Sequence, residues 1–178
     1  EEGGINLYGM VANDAVNSVD VLGLWKTDIH HQLIEGWLDS RPADKGTWAA
    51  YKWRCGIQLN VAAALKLGND TLDGDVGSGL EWGVNFLNAQ ASALAYQHAM
   101  RSEDETVSQA RAKYRAFIDK EIRDAKFSAM LAQNALNNGD SDLAKEIMVT
   151  AIVHIGFAQH STADNFSPAH KGFQIWYG

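Results

Sequence analysis

The sequence predicts an all-α domain, a compact bundle of about five helices, preceded by a short irregular, β-type tail. Three observations predict it. From Trp25 onward apolar residues recur at three- and four-residue steps, the period of a helix face. Both prolines, Pro42 and Pro168, fall outside the interiors of those periodic stretches. No segment after residue 25 alternates apolar and polar residues as a half-buried strand does.

Taken in order, residues 1–24 are rich in Gly, Asn, Asp and Val, with turn residues every few positions. "TDIHHQLIEGWLDS" starts with a Thr or Asp cap and spaces Ile29, Leu33 and Trp37 by four. Residues 42–70 read as one long helix ending near Gly68, and residues 78–102 as a third. Residues 104–140 form a fourth, stopped by Asn137-Asn138-Gly139, and residues 140–164 a fifth, capped by Asp140 or Ser141. Trp37, Trp48, Trp53, Trp82, Phe86 and Tyr96 fall on these helices and are expected in the core. The charge run from Arg101 to Asp124 reads as a solvated helix face.

A chain of 178 residues, 46% hydrophobic and 21% charged, suits one globular domain with a real core. No apolar run approaches the ~20 residues a membrane-spanning helix needs. The start, "EEGGINLYG", is neither basic nor apolar, so it is no signal peptide, and without an initiator methionine it reads as part of something longer. A net charge of -7 disfavours a broad basic surface for nucleic acid, yet admits a small acidic metal site acting on phosphodiesters. The single Cys55 excludes an internal disulfide and a Cys-rich zinc knuckle, and its aromatic and apolar neighbours predict that it is buried.

The chemistry concentrates in "HSTADNFSPAH", residues 160–170. His160 and Asp164, four apart at a helix end, point the same way, and Ser167-Pro168 ends the helix so that the loop can bring His170 back. Nitrogen and oxygen ligands in that arrangement suit zinc rather than calcium. The bland alternative is an aspartate capping a loop. His154 lies six before His160, points to another side, and reads as core. "GNDTLDGDVG" places Asp70, Asp73 and Asp75 between helices, either as an ordinary turn or as ligands, and "GFQIWYG" could line a groove or dock on another surface.

Two resemblances sharpen this. "GGINLYGMVANDAVNSVDVLGL" resembles the end of the Rhs repeat-associated core, close to "GGxNLYxYVxNNPxNxxDPxGL". Met10, Ala15 and Val21 depart from it, at a common aromatic and two prolines. The resemblance implies that residues 1–24 close a β-shell around a toxin, residues 25–178. It implies autoproteolysis between Leu24 and Trp25 at a site including Asp20. It further implies delivery into a target cell by type VI or related secretion, and a cognate immunity protein as partner beside the parent's Rhs shell.

Second, "HxxxDxxxPxH", carried by His160, Asp164, Pro168 and His170, is similar to a pattern in the zinc-dependent phospholipases C and fungal single-strand nucleases. These are all-α, three-zinc phosphodiesterases whose mature chains begin with a tryptophan. Cleavage after Leu24 would expose Trp25, with His30 five positions on and His31 beside it. The resemblance implies that Asp164 bridges two zincs. It implies that His160 shares one with His98 and a mid-chain aspartate, with Asp73 favoured over Asp70 and Asp75. Trp25 and His30 would hold another zinc, and His170 the last. Asp73 and Asp164 would be catalytic. The family's further His and acidic residue for that last zinc have no counterpart in "KGFQIWYG". Either fewer metals bind, or the chain is cut short, or His31 or His154 substitutes, with Glu35 as an outer carboxylate. The expected function is a zinc-dependent phosphodiester hydrolase, with two or three zincs and phospholipase C-like. A nuclease on the same fold and a non-catalytic, membrane-disrupting helical toxin are the alternatives.

Overall fold

A computed structural model describes residues 27–40, 47–74, 91–167 and 170–176. Its order is helix α1 (Thr27–Asp39), strands β1 (Tyr51–Lys52) and β2 (Gln58–Leu59), and helix α2 (Val61–Asp73). A 3-10 helix (Ser92–His98) follows, then the long helices α3 (Val107–Asn137) and α4 (Ser141–Phe166). With the 3-10 helix these make the expected bundle of about five helices. Asp20, Leu24, Trp25, Asp75, Trp82, Phe86 and Pro168 lie outside the described residues.

α3 and α4 form an antiparallel pair, and their ends follow from the sequence. Thr106 and Gln109 make a reciprocal capping box at the start of α3. At its end Gly139, with φ of 83°, lets its own N–H donate to Leu136 and that of Asp140 to Ala135, satisfying the last carbonyls. The Asp140 carboxylate then accepts from Leu143 N–H and starts α4. Small residues are buried along both helices: Ala125, Ala132 and Ala135 of α3 and Ala144, Ala151 and Ala158 of α4.

α4 also packs on α2, and α2 on α1. Here the structure corrects the expected 42–70 helix. Residues 51–59 form a two-residue-per-strand hairpin, Tyr51 opposite Leu59 and Lys52 opposite Gln58, turned by Cys55 and Gly56 at positive φ. The aromatic residues Tyr51 and Trp53 suit extended backbone, and Gly56 supplies the turn. Cys55, on that turn, is exposed rather than buried. α2 starts only at Val61, where the Asn60 side chain accepts from Ala63 N–H and the Trp48 carbonyl accepts from Val61 and Ala62. It runs past Gly68 to Asp73 and stops at Gly74, which is left-handed.

Gly68 is instead a contact point. A Cβ there would lie 2.4 Å from the Val153 carbonyl oxygen, and one on Gly156 would lie 2.5 Å from that of Leu65. The two glycines let α2 and α4 cross at backbone contact. Asn69, fully buried, ties the crossing by donating to the carbonyls of Leu65 and Gly156. One core cluster, Ile34, Leu38 and Leu65, with Trp48 and Ile152 against it, sits between α1, α2 and α4. Others, Ala95 with Met100 and Trp176, and Ala99 with Ala110 and Phe173, sit under the C-terminal segment. Trp37, expected in the core, is 39% exposed.

Gly156→Ala and Gly68→Ala should each destabilise the fold by about 1–3 kcal/mol, because rigid backbone faces the new methyl. Gly36→Ala, in the interior of α1 with nothing within 4 Å of its Cβ, should stabilise by about 0.5–1 kcal/mol. Urea titrations of the three variants check the contrast in sign.

Candidate metal centre

Four imidazoles and two carboxylates converge where α1, α2, α4, the 3-10 helix and the loop after α4 meet. α4 supplies two of them, since the four-residue step places His160 and Asp164 on one face. His98 ends the 3-10 helix, His30 sits in the first turn of α1, and Asp73 closes α2. His170 follows a turn in which Ser167 N–H donates to the Asp164 carbonyl and His170 N–H to that of Ser167.

Asp164 stands at the centre, 1% exposed. Its Oδ2 is 3.1 Å from His98 Nδ1 and 3.1 Å from His160 Nε2, and those two nitrogens are 3.1 Å apart. Its Oδ1 is 3.3 Å from His30 Nε2 and 3.9 Å from His170 Nδ1. Asp73 Oδ1 approaches His160 Nε2 at 3.4 Å. His30 stacks on His160 with ring centres 4.1 Å apart, and Trp176 stacks on His98 at 5.1 Å while meeting His170 edge-on. The apolar tail segment is therefore a wall of this centre rather than a free docking strip.

Electrostatics follow from the burial. Desolvation pushes the Asp164 carboxyl up, but His160, His30 and His98 outweigh it and hold it well below the usual carboxylate range. Burial lowers His160, with Asp164 and Asp73 opposing, so its imidazole resists protonation and keeps a lone pair for a metal at neutral pH.

The residues fit a bound cation. His98 Nδ1, His160 Nε2 and Asp164 Oδ2 meet in a triangle of 3.1 Å edges, close to the ~3.3 Å between two ligands of a tetrahedral zinc with bonds of about 2.0–2.1 Å. A neutral imidazole carries one N–H, too few to satisfy every short approach in that triangle. Among the described residues His98 Nε2, His160 Nδ1 and Asp73 Oδ2 are buried without a hydrogen-bond partner. Within this centre two three-residue groups have the spacing to hold an ion: His30, Asp73 and His160, and His98, His160 and Asp164.

Other residues singled out in the sequence go elsewhere. His31 Nε2 hydrogen-bonds Asp70 Oδ1 at 2.6 Å, partly exposed and apart from those two groups. Glu35 is exposed and pairs with Lys66. His154, read as core, is partly exposed and pairs with Glu121 of α3 at 2.6 Å. Glu121 itself departs from the expected solvated face, being 3% exposed. Sequence reasoning missed Glu121 and the packing role of Trp176; a carboxylate inside a charge run and an aromatic in a short tail carry no local mark of burial.

No known protein family, no curated protein and no solved structure matches this chain. The class defined by fold and site is thus a helical protein with buried His/Asp clusters able to hold a metal ion.

Saturating zinc should raise the melting temperature by about 5–10 °C, the shift for an ion present at ~100 times its dissociation constant in a domain of this size. Asp164→Asn should abolish most of that shift while far-UV circular dichroism stays helical. A full zinc-induced shift in the variant would remove Asp164 from the centre.

Proposed function

We propose that residues 25–178 are a zinc-dependent phosphodiester hydrolase of the phospholipase C type, delivered as the toxin portion of an Rhs carrier. The observation that carries the reading is the division of Asp164: one oxygen faces His98 and His160, the other His30 and His170. That is the arrangement a carboxylate shared between two cations requires, and it falls on the residues of the "HxxxDxxxPxH" pattern. The Rhs-like stretch that precedes the domain supports the toxin reading.

His98, His160, Asp164 and Asp73 would hold one zinc, and His30 and His170, through the other Asp164 oxygen, a second. Bound zinc supplies a water that ionises near neutral pH and positive charge for the phosphoryl oxygens. The chain's own residues do the rest. Asp164 sets the spacing of the imidazoles from its central position. Burial keeps His160 neutral and fixed by the His30 stack, so the centre is organised before substrate arrives. Trp176 covers His98 and excludes water from that side. Asp73 has a side chain 15% exposed, against 0–3% for the other members, so it is the group placed to meet substrate and take a proton from the attacking water. Phospholipid head groups are the first choice of substrate, the acidic balance of the chain being better suited to them than to a nucleic-acid polyanion.

Zinc-loaded protein should release choline phosphate from lecithin vesicles. Asp164→Asn and His160→Ala should lower turnover at least ~100-fold, the usual scale for loss of a group acting on the reacting centre. Asp73→Asn should lower kcat more than zinc content. Degradation of single-stranded DNA with intact lecithin would move the activity to a nuclease. Inertness of the fully zinc-loaded protein toward both substrates would end the hydrolase reading.

A further inference from the structure

We propose a second divalent-cation site, separate from the central cluster, at the seam of α3 and α4 and held by Glu121, Asp124 and His154. It goes beyond the hydrolytic reading and does not depend on it. Glu121 is 3% exposed, and a carboxylate so buried needs positive charge or N–H donors around it. Its Oε2 meets His154 Nδ1 at 2.6 Å. Asp124, three residues on, presents its carboxylate on the same side of α3. One atom from each of the three residues lies within 4.8 Å of the other two.

A cation already marks the place. Lys120 Nζ lies 3.0 Å from Glu121 Oε1 and 2.7 Å from Asp124 Oδ2, bridging the two carboxylates. Two carboxylates face the one ammonium, and a divalent ion could take its place with the His154 nitrogen as a third ligand. The Lys120 side chain is 58% exposed, so it can swing into water at little cost when an ion displaces it. One imidazole nitrogen with two carboxylate oxygens is a ligand set suited to zinc or another first-row ion rather than to magnesium or calcium. Glu121 and His154 must part slightly, since two ligands of one zinc stand ~3.3 Å from each other. The ion would staple α3 to α4 six residues before His160, on a different face of α4.

Zinc titration of the full chain, by calorimetry with metal analysis after dialysis, tests it. Wild type should bind one ion more than His154→Ala, and Asp124→Asn should weaken that ion. Lys120→Ala should tighten it about two- to fivefold, the scale of an exposed ion pair that no longer has to be broken. Asp164→Asn should leave it in place, which separates this site from the central one. Equal ion counts in wild type and a folded His154→Ala protein would overturn the assignment. So would a Lys120→Ala protein with unchanged or weaker affinity, and that exposed variant decides the matter if His154→Ala does not fold.

Discussion

An ionised carboxylate cannot sit inside a protein alone, and Asp164 is 1% exposed. The effective penalty for burying such a charge is several kcal/mol, so partners must come to it from wherever the chain can supply them. Here they come from four separate stretches: His30 from α1, His98 from the 3-10 helix, His160 from α4 itself and His170 from the loop behind it. Holding those imidazoles at 3.1–3.9 Å from one carboxylate fixes where α1 and the C-terminal segment sit relative to α4. The same demand makes the centre suitable for a metal, because nitrogen lone pairs gathered around an anion are what a zinc ion replaces protons to reach.

Close backbone packing makes the gathering possible. α4 is the shared wall of the bundle, and it reaches α2 through Gly68 and Gly156 with no side chain between them. That contact sets α2 at the distance from which Asp73, five residues beyond Gly68, meets His160. On its other side α4 meets α3, and there the second buried carboxylate, Glu121, is met by His154 and Lys120. One helix thus serves two charge clusters on different faces, and small residues flank both.

Much of this was legible in the sequence, for a reason that also marks the limit. α3 and α4 were readable because capping residues and the Asn138-Gly139 stop act on neighbouring backbone groups. The hairpin at 51–59 was not, because Tyr51, Trp53, Ile57 and Leu59 supply apolar density that a buried helix would also show, and only Cys55-Gly56 hints at the turn. Gly68 reads as a helix end in the sequence because the residue that ends helices is also the one that lets two helices touch. His160 and Asp164 share a face by arithmetic, whereas a resemblance asks only for a mid-chain aspartate and leaves Asp70, Asp73 and Asp75 open, with Asp73 favoured; in the structure Asp73 approaches His160 and Asp70 pairs with His31.

The sequence by itself determined the helical class, the ends of the two long helices and the common direction of His160 and Asp164, since each follows from chemistry within about one turn of chain. Tertiary structure alone decided that His30 stacks on His160, that Trp176 covers His98, that Cys55 faces solvent and that Glu121 is buried. Burial and charge pairing depend on which distant groups arrive at a position, and nothing in the residues beside it records that.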